Sequence, residues 1–233
     1  MARMARAATT PRLVRRTYHL TGTVQGVGFR PALYRLARAA GLGGSVQNRA
    51  GAVQLVLEGA PERIDAFLRE LPAHLPPLAR MERVELMATQ ALQRGSPRPF
   101  AIAPSDSRET RAVLIPPDLA MCRDCRAEVL DPGNRRYGYA FTTCTRCGPR
   151  YTVLAGLPYD RQRTTLAIFP LCPRCQREYD DPQDRRFHAE SIACPDCGPH
   201  LVLKDARGQT VPGAPLAVVR RALAEGQIVA VRG

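Results

Sequence analysis

Eight cysteines, all in Cys-x-x-Cys pairs, fall into two copies of one pattern: Cys122-x2-Cys125-x18-Cys144-x2-Cys147 recurs 50 residues later as Cys172-x2-Cys175-x18-Cys194-x2-Cys197. The repeat extends past sulfur. Glu128 and Glu178, Asp131-Pro132 and Asp181-Pro182, Arg135-Arg136 and Arg185-Arg186, and Gly148-Pro149 and Gly198-Pro199 stand in register. A Cys-x-x-Cys turn presents two thiolates to one cation, and two such turns complete a tetrahedron. The spacer lies in the range of four-cysteine zinc ribbons. Two other readings compete. Four disulfides would require an oxidising compartment, and no secretion signal is visible. A four-sulfur site also suits iron. The assignment favoured by spacing is two structural zinc ions, one per quartet, with a nested pairing of the knuckles as the alternative. Four thiolates on one ion leave no open position, so the expected role is structural.

Upstream, hydrophobic periodicity sets out a different module. Tyr18, Leu20, Gly22 and Val24 alternate with His19, Thr21 and Thr23, the mark of a half-buried strand. Pro31 stands where a first helical position is expected, and Leu33, Leu36, Ala37 and Ala40 trace one helical face, with Gly41 and Gly43-Gly44 to stop it. Val46–Asn48 and Val53, Leu55 and Leu57 read as a hairpin around Ala50-Gly51. Pro61 opens a second helix striped by Ile64, Phe67, Leu68 and Leu71, and Val84, Leu86 and Ala88 alternate again. This order is the ferredoxin-like βαββαβ arrangement, with a short edge strand near Phe100–Ala103.

The expected fold class is therefore α+β. It comprises a disordered, arginine-rich tail over residues 1–16 and a ferredoxin-like domain over 17–103. A Pro- and Ser-rich linker covers 104–118, a tandem four-cysteine zinc-ribbon region 119–203, and a truncated α/β segment 204–233. In that last segment Ala217, Val218, Arg221, Ala222 and Leu223 mark a helix ended by Gly226, and Ile228–Val231 an apolar strand. One helix and one strand cannot bury a core, so the segment reads as cut off.

Net charge narrows the partners. The formal charge is +13, but 34 basic residues include a single lysine, Lys204, and the arginines are scattered along the chain. Eight thiolates and two zinc ions would lower the charge to about +9. No dedicated nucleic-acid face is expected. No stretch approaches the ~20 apolar residues that span a bilayer, so no membrane partner is expected, and free thiolates point to the cytoplasm. His19, His74, His188 and His200 have no partner at metal-ligand spacing and read as surface or packing residues.

Between the first strand and helix lies Gln25-Gly26-Val27-Gly28-Phe29-Arg30. Its glycines let successive N–H groups converge, and the positive end of the following helix points at the same spot, a nest suited to phosphate. Arg30 can grip two phosphate oxygens as a planar fork. Alone, such a turn is a weak signal. The longer run Leu20-x-Gly22-x-Val24-Gln25-Gly26-Val27-x-Phe29-Arg30, followed by Asn48, resembles the acylphosphatase family. The resemblance implies that Gln25–Arg30 hold the phosphoryl group and that Arg30 and Asn48 are catalytic. Asn48 would orient the water that cleaves a carboxyl-phosphate anhydride, with no metal and no covalent intermediate.

The module order, with Pro116-Pro117-Asp118, Pro158-Tyr159-Asp160 and the closing Gly226–Gly233, resembles the hydrogenase-maturation carbamoyltransferase family. That resemblance implies hydrolysis of carbamoyl phosphate at the loop. Carbamate would then be coupled to ATP in a YrdC-like domain, of which residues 204–233 would be the start. The carbamoyl group would go to a HypE-like acceptor protein, in making the cyanide ligands of nickel–iron hydrogenase. ATP chemistry belongs to downstream domains, so this segment is not expected to complete the reaction. Two other classes stay open: a free-standing acylphosphatase with a structural zinc module, and a zinc-dependent protein-interaction or chaperone module.

Overall fold

The computed structural model describes residues 13–49, 51–92, 97–106 and 115–232. Most of the expected tail (1–12), Ala50 of the expected turn, residues 93–96, the middle of the expected linker (107–114) and Gly233 lie outside the described residues. The chain forms two compact units, residues 1–198 and 199–233.

The first unit begins with β1 (Val14–Thr23), α1 (Phe29–Ala39), β2 (Gly43–Arg49), β3 (Ala52–Gly59), α2 (Pro61–Glu70), β4 (Arg80–Ala91) and β5 (Ala101–Ile102). The sheet order is β4-β1-β3-β2-β5. β1 lies between antiparallel β3 and β4, and β5 joins β2 in parallel, pairing Ser45 with Ala101. The period-two pattern explains the register: Tyr18 pairs with Leu55 and Leu20 with Val53, all buried. These side chains meet Leu33 of α1 and Ile64 and Phe67 of α2 in one core. Each buried aliphatic there contributes about 1.5–3 kcal/mol.

Several expected boundaries move. β1 starts at Val14, so residues 14–16 belong to the sheet rather than a tail, and Arg15 pairs with Glu58 at 2.7 Å. The first helix starts at Phe29, with Pro31 inside its first turn, where a missing N–H costs no hydrogen bond. Gly43 and Gly44 lie in β2; the helix ends at Ala40 and Gly41 instead. The start of the expected linker is structured too: Ala103 N–H donates to Val46 at 2.9 Å and Asp106 N–H to Asn48 at 2.9 Å, extending the path of β5 along β2.

The cysteine-rich region follows, with α3 (Arg123–Leu130) and α4 (Pro173–Asp180). Cys122 and Cys172 are the N-caps of these helices, so both first knuckles sit at a positive helix end. The Asp-Pro pairs make matching turns, Asp131 accepting from Gly133 N–H at 2.9 Å and Asp181 from Gln183 N–H at 2.8 Å. Among the described residues the region holds only isolated bridges, such as Leu119 with Gly148, in place of the ladders of a ribbon. The second unit contains α5 (Pro215–Ala224). Among the described residues the strand expected at Ile228–Val231 does not form, and Ile228 is 99% exposed.

Candidate active site and metal centres

Cys122, Cys125, Cys144 and Cys147 form one cluster and Cys172, Cys175, Cys194 and Cys197 another, each with its sulfurs within 4.8 Å of one another. The nested pairing is thereby excluded. A Zn–S bond of about 2.3 Å sets tetrahedral edges near 3.8 Å. The measured Sγ separations are 3.8 Å for Cys122–Cys144 and Cys144–Cys147, and 3.7 Å for Cys172–Cys194 and Cys194–Cys197. These are far longer than a disulfide bond of about 2.05 Å, and all eight cysteines are free. Each quartet therefore fits one tetrahedral zinc ion.

The arginine pairs of the repeats are exchanged between the two fingers. Arg136 donates from Nε to Ala193 O, the carbonyl before Cys194, at 3.0 Å, and from Nη1 and Nη2 to Glu178 at 3.1 and 2.5 Å. Arg186 reciprocates, with Nε on Thr143 O, the carbonyl before Cys144, at 3.0 Å and Nη1 on Glu128 at 3.2 Å. Arg135 donates to Cys175 Sγ at 3.2 Å and Arg185 to Cys125 Sγ at 3.0 Å. Each finger thus supplies cations to the other's thiolates. Burial raises the Glu178 carboxyl, but the bonds from Arg136 and Arg135 outweigh it and hold the group down at about 2.

The phosphate loop has the geometry its glycines imply. Gly26 and Gly28 sit at φ 70° and 75°, and Gly28 caps α1. Among the described residues the N–H groups of Gln25, Gly26, Val27 and Gly28 donate to no protein acceptor. Gln25 holds the loop to the hairpin, its amide bonding Arg49 O at 3.0 Å and Ala52 O at 3.3 Å. Arg30 is buried beside Asn48, whose amide oxygen, turned to the guanidinium, accepts from Nε at 3.2 Å and Nη2 at 3.3 Å. The structure thus brings Asn48 of β2 against Arg30 at the end of the loop.

Comparison with known proteins agrees with this geometry. The acylphosphatase family matches residues 16–102, and the HypF finger matches residues 121–154 and 171–203. The chain is 50% identical to the carbamoyltransferase HypF2 of Cupriavidus necator, over 99% of this chain and 28% of that protein. It is 48% identical to an acylphosphatase of Thermococcus kodakarensis, over 31% of this chain and 80% of that protein. A crystal structure of full-length HypF in the phosphate- and nucleotide-bound form superposes with a TM-score of 0.82 at 35% identity, covering 94% of this chain and 28% of that one. The chain belongs to the HypF family. It corresponds to the acylphosphatase and finger regions, and spans 28% of the length of the HypF2 relative.

In this HypF-family chain the fingers wall the phosphate loop. Arg150, 3% exposed, donates to Gly26 O and, within the first finger, to Cys147 O at 2.9 Å, Cys144 O at 3.2 Å and Thr145 O at 2.9 Å. A Cβ on Gly28 would come within 3.2 Å of Thr145, so the loop also needs glycine for the close approach of the finger. From the second finger, Glu190 meets Arg30 Nη2 at 2.8 Å, and Asp160 meets the same nitrogen at 3.0 Å. Glu190 is fixed from behind by Tyr179 Oη at 2.9 Å and Arg161 N–H at 3.0 Å. Burial pushes the Glu190 carboxyl up, and the positive charge of Arg30 opposes it.

The space left between loop and wall is about 20 Å3, roughly one water. An entering phosphate has to compete with the two carboxylates for the Arg30 fork. Asp160, whose side chain is 24% exposed, is the one that can yield; Glu190, at 4%, is locked. None of Arg150, Asp160, Glu190 or His188 was assigned to the site by sequence motif. His188, expected to be an ordinary packing or surface residue, lines the cleft.

Proposed function

We propose that this chain hydrolyses carbamoyl phosphate at the Gln25–Arg30 loop and hands the carbamate on within a longer carbamoyltransferase. The observation that carries this is a cleft lined by Gln25, Gly26, Gly28 and Arg30, with the Arg30 guanidinium bonded to Asn48, against a wall made by the fingers. Arg30 and the N–H groups hold the phosphoryl oxygens as charge develops on them. Asn48, bonded to Arg30 on one side, places the attacking water on the other. Water adds to phosphorus, the anhydride P–O bond breaks, and carbamate leaves with the electron pair. A leaving group this good asks mainly for positioning and charge stabilisation.

The remaining steps belong to domains outside this chain: coupling of carbamate to ATP, and transfer to a cysteine of a HypE-like acceptor, supplying the cyanide ligands of nickel–iron hydrogenase. The setting is the cytoplasm, where eight thiols stay reduced and able to hold zinc. No helix of the described residues is long and apolar enough to cross a membrane.

The test is mutational. Arg30→Ala abolishes both hydrolysis and inhibition by inorganic phosphate. Asn48→Ala lowers kcat by about 10²-fold, as expected for loss of one positioned transition-state group, with phosphate inhibition retained. An Arg30→Ala chain with unchanged rate and unchanged phosphate inhibition refutes the proposal.

A further inference from the structure

Gly138 and His188 hold the same place in the two finger repeats, and both adopt the left-handed backbone, at φ 66° and 52°. Their N–H groups close equivalent turns, Gly138 onto Val129 O at 2.9 Å and His188 onto Tyr179 O at 3.0 Å. That conformation suits glycine and strains a residue with a Cβ. The first copy keeps glycine, with nothing within 4 Å of where its Cβ would stand. The second copy keeps histidine, its ring set against Tyr179 and Phe187, with centroids 4.9 and 4.7 Å away, and lining the phosphate cleft. A strained backbone held at a functional cleft points to a task for its side chain.

The partners of the other polar groups on the wall define that task. Glu190 is taken by Arg30, Tyr179 and Arg161, and Arg150 by carbonyls of the loop and first finger. Tyr159 Oη donates to Pro149 O at 3.4 Å, Thr145 Oγ1 to Arg185 O at 3.1 Å, and Ser191 shares a bond with Thr143 at 3.1 Å. Among the described residues only the His188 ring, of the polar side chains that the fingers contribute to the cleft apart from the metal-binding Cys144, has no hydrogen-bond partner in the protein. A phosphoryl group held by loop and Arg30 leaves the other end of its substrate facing this wall. Burial, with the charge of Arg30, pushes the imidazole down to about 4, so the ring is neutral at physiological pH. One nitrogen then donates and the other accepts.

We propose that His188 hydrogen-bonds the carbamoyl end of the substrate and selects carbamoyl phosphate over acyl phosphates that lack the amide. This rests on the function proposed above and deepens it. An acetyl group offers only its carbonyl, whereas a carbamoyl group offers a donor as well, and a site built for a polar group discriminates against its absence.

The experiment compares carbamoyl phosphate with acetyl phosphate on the zinc-loaded full chain. In His188→Gly the ratio of kcat/KM values, carbamoyl over acetyl, falls about tenfold, the worth of one hydrogen bond. Zinc content and melting temperature hold or rise, because glycine relieves the left-handed strain. His188→Asn, which tolerates that backbone and keeps a donor and an acceptor, recovers part of the ratio. A ratio unchanged in His188→Gly, or equal loss on both substrates, overturns the assignment and leaves a packing role. If the unaltered chain cleaves acetyl but not carbamoyl phosphate, the proposed function itself fails, and the assignment with it.

Discussion

Replacing Arg136 by methionine tests whether the two fingers are one structure. Arg136 is 2% exposed and comes from the first finger, yet its bonds end on Glu178 and Ala193 of the second. Methionine keeps most of the buried volume and removes only the guanidinium. Ala193 O then has no donor in a buried place, at a cost of about 1–2 kcal/mol. Glu178 keeps Arg135 at 2.7 Å and is 22% exposed, so its loss is smaller than the ~3–5 kcal/mol of a fully buried broken pair; about 2 kcal/mol is reasonable. The total is about 3 kcal/mol. For a cooperative finger unit of fewer than about 100 residues that corresponds to a fall in its melting temperature of roughly 12–24 °C.

Calorimetry measures the melt, and a chromogenic chelator measures zinc release. Both ions should become labile together, because the side chain lost from one finger frees the backbone just before Cys194 in the other. Arg186→Met should mirror the result, since its Nε holds the carbonyl just before Cys144. A melt shifted by less than about 2 °C, or faster release of one ion with the other unaffected, would show two independent fingers and refute the cross-bracing argument.

The sequence made the periodic parts of this molecule legible. Alternation in β1 and β3, helical stripes in α1 and α2, and the cysteine spacing each report a local geometry that repeats along the chain. Strand β4 shows the limit: Val84 and Leu86 pair with buried Leu20 and Tyr18 but are 42% and 54% exposed, because the helices pack over β2, β3 and β5 and leave β4 uncovered. Ile228–Val231 failed as a strand for the related reason that apolar pattern alone supplies no partner. The loop and Asn48 were found by motif, whereas the wall facing them was not. Glu190 lies 160 residues from Arg30, a separation that no periodicity encodes. A signal was nevertheless present. The repeats match at residues that build the fingers and differ where the second finger meets the cradle: His188 stands against Gly138, Glu190 against Ala140 and Ser191 against Phe141. A broken internal repeat marks positions freed from the shared fold and available for another task.

Two further outcomes follow from the wall. Asp160→Asn removes a carboxylate that competes for Arg30 at 3.0 Å. After discounting its Coulomb energy for partial exposure and relaxation, about 1 kcal/mol remains, so inorganic phosphate should inhibit roughly fivefold more tightly; weaker or unchanged inhibition would mean that Asp160 helps to bind the anion. Zinc removal separates fold from site. The sheet core, built from residues such as Leu20, Leu55 and Ile64, is distinct from the two clusters packed around the cysteines. A metal chelator should therefore leave slow amide exchange in β1 and β3, since their apolar contacts and ladders do not involve the fingers. The wall has no such independence: Glu190 and Arg150 are positioned by turns that the cysteine clusters hold, and metal binding supplies the folding energy of small sites of this kind. Phosphate inhibition should weaken in the chelated chain, because Arg150 no longer pins Gly26 O and the loop loses its preorganised shape, a loss larger than the gain from freeing Arg30 of Glu190. Loss of exchange protection in β1 would show that the sheet needs the fingers to fold, and undiminished phosphate inhibition would show that the cradle works without its wall.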